Sequence, residues 1–114
     1  MRVKRGIISH ARHKKVFEMT KGYRMTKHRL IRVGHEAALH AGEYAFAGRK
    51  QKKRDFRRLW ITRINGALSN LGISYSQFIA GLKKTNIQLD RKILAEIISE
   101  DINTFKRVVE KVKG

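Results

Sequence analysis

Cysteine is absent from this 114-residue chain, which excludes a disulfide framework and any thiolate metal site. Proline is absent too, and over Lys27 to Arg58 good helix formers dominate. Long apolar runs are missing: stretches such as Ala45-Phe46-Ala47 fall far short of a bilayer-spanning helix. The basic start, Arg2-Val3-Lys4-Arg5-Gly6, is not followed by the apolar stretch of a secretory signal. These absences predict a soluble, cytosolic chain. Carboxylates are scarce as well. Nine Asp and Glu stand against 27 Lys and Arg, leaving a formal net charge of +18.

The scarcity of acids, and the placement of the histidines, exclude most chemistry. His10 with His13 and His35 with His40 lack nearby carboxylates or cysteines in a metal-ligand pattern. Ser74, Ser76 and Ser99 share their half of the chain with no histidine, so a nucleophile–base arrangement has little support. The glycines form neither a phosphate-cradling loop nor a dinucleotide fingerprint. Glu96, Glu100 and Asp101 cluster, but helix-end electrostatics account for them. The sequence therefore predicts no enzyme, no metal, no cofactor and no small-molecule substrate.

What is present is cationic charge, and it needs a counter-charge. A folded chain at +18 repels itself, and a polyanion relieves that repulsion. The charge is uneven. Residues 1–58 carry 18 Lys/Arg and four acids, a net +14; residues 59–114 carry nine and five, a net +4. All five histidines fall in the first part and most large apolar residues in the second. The expected organisation is a basic arm and long helix over 1–58, followed by a small globular helical domain over 59–114.

The second part is punctuated as helices. Phe56, Trp60, Ile64, Ala67, Leu68 and Leu71 recur at three- and four-residue spacing on one face, with Trp60 expected in the core and a stacking platform for a base as its alternative. Gly72 stands where a left-handed C-terminal cap is wanted. Ser74-Tyr75-Ser76-Gln77 has the form of a capping box opening a helix with Phe78, Ile79 and Leu82 inward. Asp90 suits the N-cap of a helix with the stripe Ile93, Leu94, Ile97, Ile98, and a last helix presents Ile102, Phe105, Val108, Val109 and Val112. No strand alternation is legible. The fold class is all-α: an extended basic N-terminal arm and a long helix leading into a C-terminal bundle of about four short helices.

The first part predicts an extended segment over 1–24 with a short helix near Lys14–Lys21. A long helix is expected from about Lys27 into the globular domain, with Gly42 and Gly48 each a candidate kink. Small residues such as Gly34, Ala38, Ala41 and Ala45 would let it approach a partner closely. The densest signal is Arg49, Lys50, Lys52, Lys53, Arg54, Arg57 and Arg58, seven cations in ten residues with the single acid Asp55. Their helical directions cover more than half the circumference, unlike a membrane-surface helix with one apolar face. They suit a helix lying between phosphate backbones. The arm adds Arg2, Lys4, Arg5, Arg12, Lys14, Lys15, Lys21, Arg24, Lys27, Arg29 and Arg32, with Tyr23 and histidines interleaved for stacking. With no helix-turn-helix, zinc finger or zipper legible, RNA is favoured over DNA; the alternative is a nucleoid-associated, DNA-compacting protein.

Arg54-Asp55-Phe56-Arg57-Arg58-Leu59-Trp60-Ile61 and Arg63-Ile64-Asn65 closely resemble the bacterial large ribosomal subunit protein twenty family. Ser74-Tyr75-Ser76, Gly81-Leu82-Lys83-Lys84 and Leu89-Asp90-Arg91-Lys92 continue the resemblance, as do Arg2 to Gly6, His13-Lys14-Lys15 and Lys21 to Arg24. Glu43 to Gly48 departs, standing where a more basic stretch is expected, and the tail from Ile97 is only loosely similar. The resemblance implies a structural constituent that binds large-subunit rRNA, with neighbouring large-subunit proteins as further partners, and promotes early subunit assembly in the cytoplasm. It also implies repression, in some members, of the protein's own operon through its messenger RNA. By matching positions it implicates Arg2, Lys4, Arg5, His13, Lys14, Lys15, Tyr23 and Arg24, then Arg54, Arg57, Arg58 and Arg63, in RNA contact. Ser74, Ser76, Lys83, Lys84, Arg91 and Lys92 join them in the C-terminal part, where some could instead cap or solubilise helices.

Overall fold

The computed structural model describes residues 2–114; Met1, at the head of the predicted arm, lies outside the described residues. The fold is all-α. Among the described residues, α1 spans Gly6–Met19, a 3-10 turn Met25–His28, α2 Ile31–Ser69, α3 Tyr75–Lys84, α4 Arg91–Glu100 and α5 Ile102–Lys113. The chain packs as two compact units, Met1–Lys50 and Gln51–Gly114, so the division falls within α2.

The second unit holds the hydrophobic core. Ile64 and Leu68 of α2, Phe78 and Leu82 of α3, Leu94 of α4, and Phe105 and Val109 of α5 are buried together. The Phe78 and Phe105 rings meet tilted, with centroids 5.7 Å apart, a geometry aromatic pairs prefer. The helix ends follow from local chemistry. Gly72 has φ +69° and the Ile73 N–H reaches the Leu68 carbonyl, a Schellman closure of α2. Asn86, at φ +54°, closes α3 the same way, with the Ile87 N–H on the Leu82 carbonyl. The predicted capping box is present: the Ser74 hydroxyl accepts from the Gln77 N–H, and the Gln77 side chain accepts from the Ser74 N–H. Asp90 occupies the N-cap of α4 but makes no side-chain capping bond.

Several predicted core positions lie outside it. Trp60 is half-buried and stands apart from the core cluster, and Phe56 is exposed, its ring tilted against Trp60 at 6.1 Å. In the second unit, burial on α2 begins at Trp60 and Ile61 and is complete at Ile64. Ile93 is exposed because the buried side of α4 centres on Leu94, Ala95 and Ile98, leaving Ile93 at its margin. Ile102 is exposed because it is the first residue of α5, with no preceding turn to pack beside it.

The first unit is more helical than the sequence suggested. In place of an extended segment with a short helix over 14–21, α1 runs for 14 residues. It contains good helix formers but buries no side chain fully; Val16 and Phe17 near its C-terminal end are half-buried. The chain then turns at Thr20, fully buried with its hydroxyl donating to the Val16 carbonyl, and at Gly22, with φ +81°. The 3-10 turn delays the start of α2 from Lys27 to Ile31. Gly34 is buried there: a Cβ would lie 2.6 Å from the Lys27 carbonyl oxygen and 3.6 Å from the Phe17 ring. The close approach predicted for small residues is thus made to the chain's own turn. Gly42 and Gly48 do not break α2, which is continuous for 39 residues. Each costs roughly 1 kcal/mol relative to alanine, and propagation of an established helix tolerates that.

Two measurements test this architecture. A Cβ on Gly81 would overlap Val112 Cγ1 of α5 and sit 3.3 Å from the Val112 carbonyl oxygen. Gly81→Ala is expected to destabilise the second unit by about 1–3 kcal/mol in urea unfolding, with Val112→Ala restoring part of the loss. Asp101 caps α5 by accepting from the Thr104 hydroxyl and from the Thr104 and Asn103 N–H groups. The Thr104 bonds, chiefly, then the Asn103 bond and Arg107, hold its carboxyl below the usual aspartate value. Its contribution is therefore present above the unfolded value of about 3.9 and lost as pH falls through the lower folded one. In acid titrations followed by circular dichroism, Asp101→Asn should remove part of the helix loss seen below pH about 4, since Asn still caps but does not titrate.

Candidate nucleic-acid interface

The candidate interface begins from a simple fact: every Lys and Arg among the described residues is exposed. A cation buried without a partner is costly, and the chain has few acids to offer one. Among the described residues, two Lys/Arg side chains reach a carboxylate within 4 Å: Arg58 to Asp55 at 4.0 Å and Lys92 to Glu96 at 3.9 Å. Both pairs are exposed and worth little. His40 and Glu43 make a third contact at 3.7 Å. The positive charge is thus left almost uncompensated within the protein.

The helices decide how the cations are displayed. Arg2, Lys4 and Arg5 precede α1, and Arg12, His13, Lys14 and Lys15 follow one another on it, so their side chains radiate around its axis. Lys21 and Arg24 lie in the link after α1, Lys27 in the 3-10 turn, Arg29 just after it and Arg32 in the first turn of α2. Tyr23 is half-buried, and its carbonyl accepts from His28 Nδ1 at 3.1 Å. Arg49, Lys50, Lys52, Lys53, Arg54, Arg57, Arg58 and Arg63 all project from α2 itself. A helix with cations on most of its circumference can meet phosphates on more than one side.

The C-terminal candidates have mixed employment. The Ser74 hydroxyl is engaged as the α3 cap and lies 3.2 Å from the Ser76 hydroxyl. Arg91 donates from Nε to the Tyr75 hydroxyl at 2.8 Å, and Lys92 faces Glu96. Lys83 and Lys84 occupy the last turn of α3, where cations complement the helix dipole, and remain exposed.

The sequence reading assigned no role to the aromatic residues next to the basic run. Tyr44 is 73% exposed and Phe46 57%, with Leu39 exposed nearby. The His40 and Tyr44 rings stack with centroids 6.2 Å apart, and Lys50 Nζ sits 4.5 Å from the Phe46 ring centroid. Their four-residue spacings were visible in the sequence.

A model of the family described as ribosomal protein L20 matches residues 2–108. The chain belongs to the ribosomal protein L20 family. The large ribosomal subunit protein bL20 of Buchnera aphidicola subsp. Acyrthosiphon pisum, strains Tuc7 and APS, is 51% identical over 112 residues, 98% of this chain and 95% of the relative. The strain 5A protein is 50% identical over the same span. Membership makes the chain a structural ribosomal protein rather than an enzyme, located in the ribosome, in the cytoplasm. The DNA-compacting alternative is not favoured by this assignment. If about ten of the exposed cations contact phosphate, affinity for RNA should fall with salt at a log–log slope of roughly −7 to −9, measured by titration at several salt concentrations.

Proposed function

We propose that this ribosomal protein is a constituent of the large subunit that binds large-subunit rRNA directly and promotes early subunit assembly. The observation that carries the reading is the display of 27 exposed cations with almost no internal counter-charge. Phosphate is the partner chemistry that relieves it. The division of labour follows the two ends of the chain. Residues 59–114 include the core helices and set the register on a folded rRNA surface. Residues 1–58 lie among neighbouring rRNA helices and neutralise their phosphates. The contact set comprises the arm cations with His13 and Tyr23, the α2 cations from Arg49 to Arg63, and Ser74, Ser76, Lys83, Lys84, Arg91 and Lys92. Neighbouring large-subunit proteins are the second class of partner. Its own messenger RNA is a further ligand for the same surface, with repression of the operon as the result.

The test is competitive binding at near-physiological salt, with labelled large-subunit rRNA fragments against unrelated structured RNA and duplex DNA. The expected result is preference for one rRNA fragment that persists as salt rises. Equal loss to every competitor would mean that charge alone drives binding. A chain lacking residues 1–27 should keep the fragment preference yet fail to support subunit assembly; full assembly would reject the division of labour.

A further inference from the structure

We infer that the stretch of α2 from His40 to Lys50 is a two-sided stacking rod for unpaired RNA bases, with Tyr44 presenting one platform and Phe46 the other. The inference rests on the RNA-binding reading above and adds a ligand feature, the exposed nucleobase, that charge alone does not select.

Tyr44 and Phe46 are 73% and 57% exposed on a helix that gives them no cover beyond their own neighbours one turn away. Large apolar groups left in water together mark an interaction site. Their spacing says what kind. Two residues apart on an α-helix, they point about 160° apart, to nearly opposite sides. A single protein face docking on α2 would cover one and leave the other in water. A partner that passes on both sides of a rod covers both, and folded single-stranded RNA segments do this.

Each ring is also prepared for stacking. His40 lies against Tyr44 with 27° between the ring planes, and Lys50 Nζ sits over Phe46. Each neighbour occupies one face of its ring and restrains the side chain, so less rotamer freedom is lost when a base takes the other face. Glu43, the acid within this stretch, is drawn to His40 at 3.7 Å. Arg49, Lys50, Lys52 and Lys53 follow within two turns to hold the phosphates of the stacked nucleotides.

The experiment uses the full chain and three leucine variants: Tyr44→Leu, Phe46→Leu and the double. Leucine keeps helix propensity and apolar bulk, and neither position touches the core, so circular dichroism should be unchanged. The probes are an unstructured oligouridine and an A-form RNA duplex with the same number of phosphates. Each single substitution is expected to weaken oligouridine binding about tenfold, and the double by more. Duplex affinity and the salt slope should stay as in the parent chain. Lys50→Gln should instead weaken both probes and lower the slope. Unchanged oligouridine affinity in the double variant, or equal losses on both probes, would overturn the inference. So would a double variant that binds both RNAs normally but is lost from assembled subunits, because the rings would then serve a protein neighbour. The parent chain is tested separately for preference of large-subunit rRNA over duplex DNA. Absence of that preference would reject the rRNA reading whichever way the leucine variants behave.

Discussion

The rest of the structure depends on unbalanced charge. With 27 cations against nine acids, the chain cannot neutralise itself by internal pairing, and the cations are all left at the surface. Among the described residues the interior is consequently free of ionisable side chains: the fully buried ones are apolar, with the hydroxyl of Thr20 as the polar exception. Helices suit this condition because they satisfy backbone polar groups locally while projecting side chains in every direction. A protein of this kind is stable as far as its apolar stripes reach and depends on an external anion beyond that.

That limit shows in the contrast between the two units. The second assembles seven buried apolar side chains from four helices around the Phe78–Phe105 pair. Among its described residues the first has no fully buried hydrophobic side chain; Val16, Phe17, Tyr23, Ile31, Val33, Ala37 and Ala38 are half-buried. Area buried sets hydrophobic stabilisation, so the first unit holds its helices with much less of it. Its positive charge density is the higher of the two. Weak self-packing and high positive charge density therefore fall in the same residues.

Much of this was legible in the sequence, for identifiable reasons. The helices of the second unit announce themselves through caps as well as stripes: Gly72 and the Ser74–Gln77 box act within one turn, and local interactions survive any tertiary context. Ile93, Ile102, Phe56 and Trp60 were misplaced because periodicity gives a direction on a helix and not the extent of the surface that covers it. Gly42 and Gly48 mark candidate kinks in the sequence, yet α2 runs unbroken because helix propagation spreads their cost over 39 residues. The start of α2 at Ile31 depends on Gly34 fitting against the Lys27 carbonyl, a contact that no local pattern encodes. The cations of the site were read directly from composition. The aromatic pairs around Tyr44 and Phe46 were not, since a surface ring and a core ring look alike until burial is known.

The two tight glycine contacts also bear on how freely such a sequence can drift. The surface displays many cations, so under the proposed reading the loss of one phosphate contact would be diluted by the rest. Gly34 and Gly81 have no such substitutes, because each marks a place where a backbone or a stiff side chain already fills the space a methyl group would need. The charge of the surface is redundant and the architecture is not. The charged surface has room for change, while these two uncharged positions cannot take a side chain without a shift of what already fills the space.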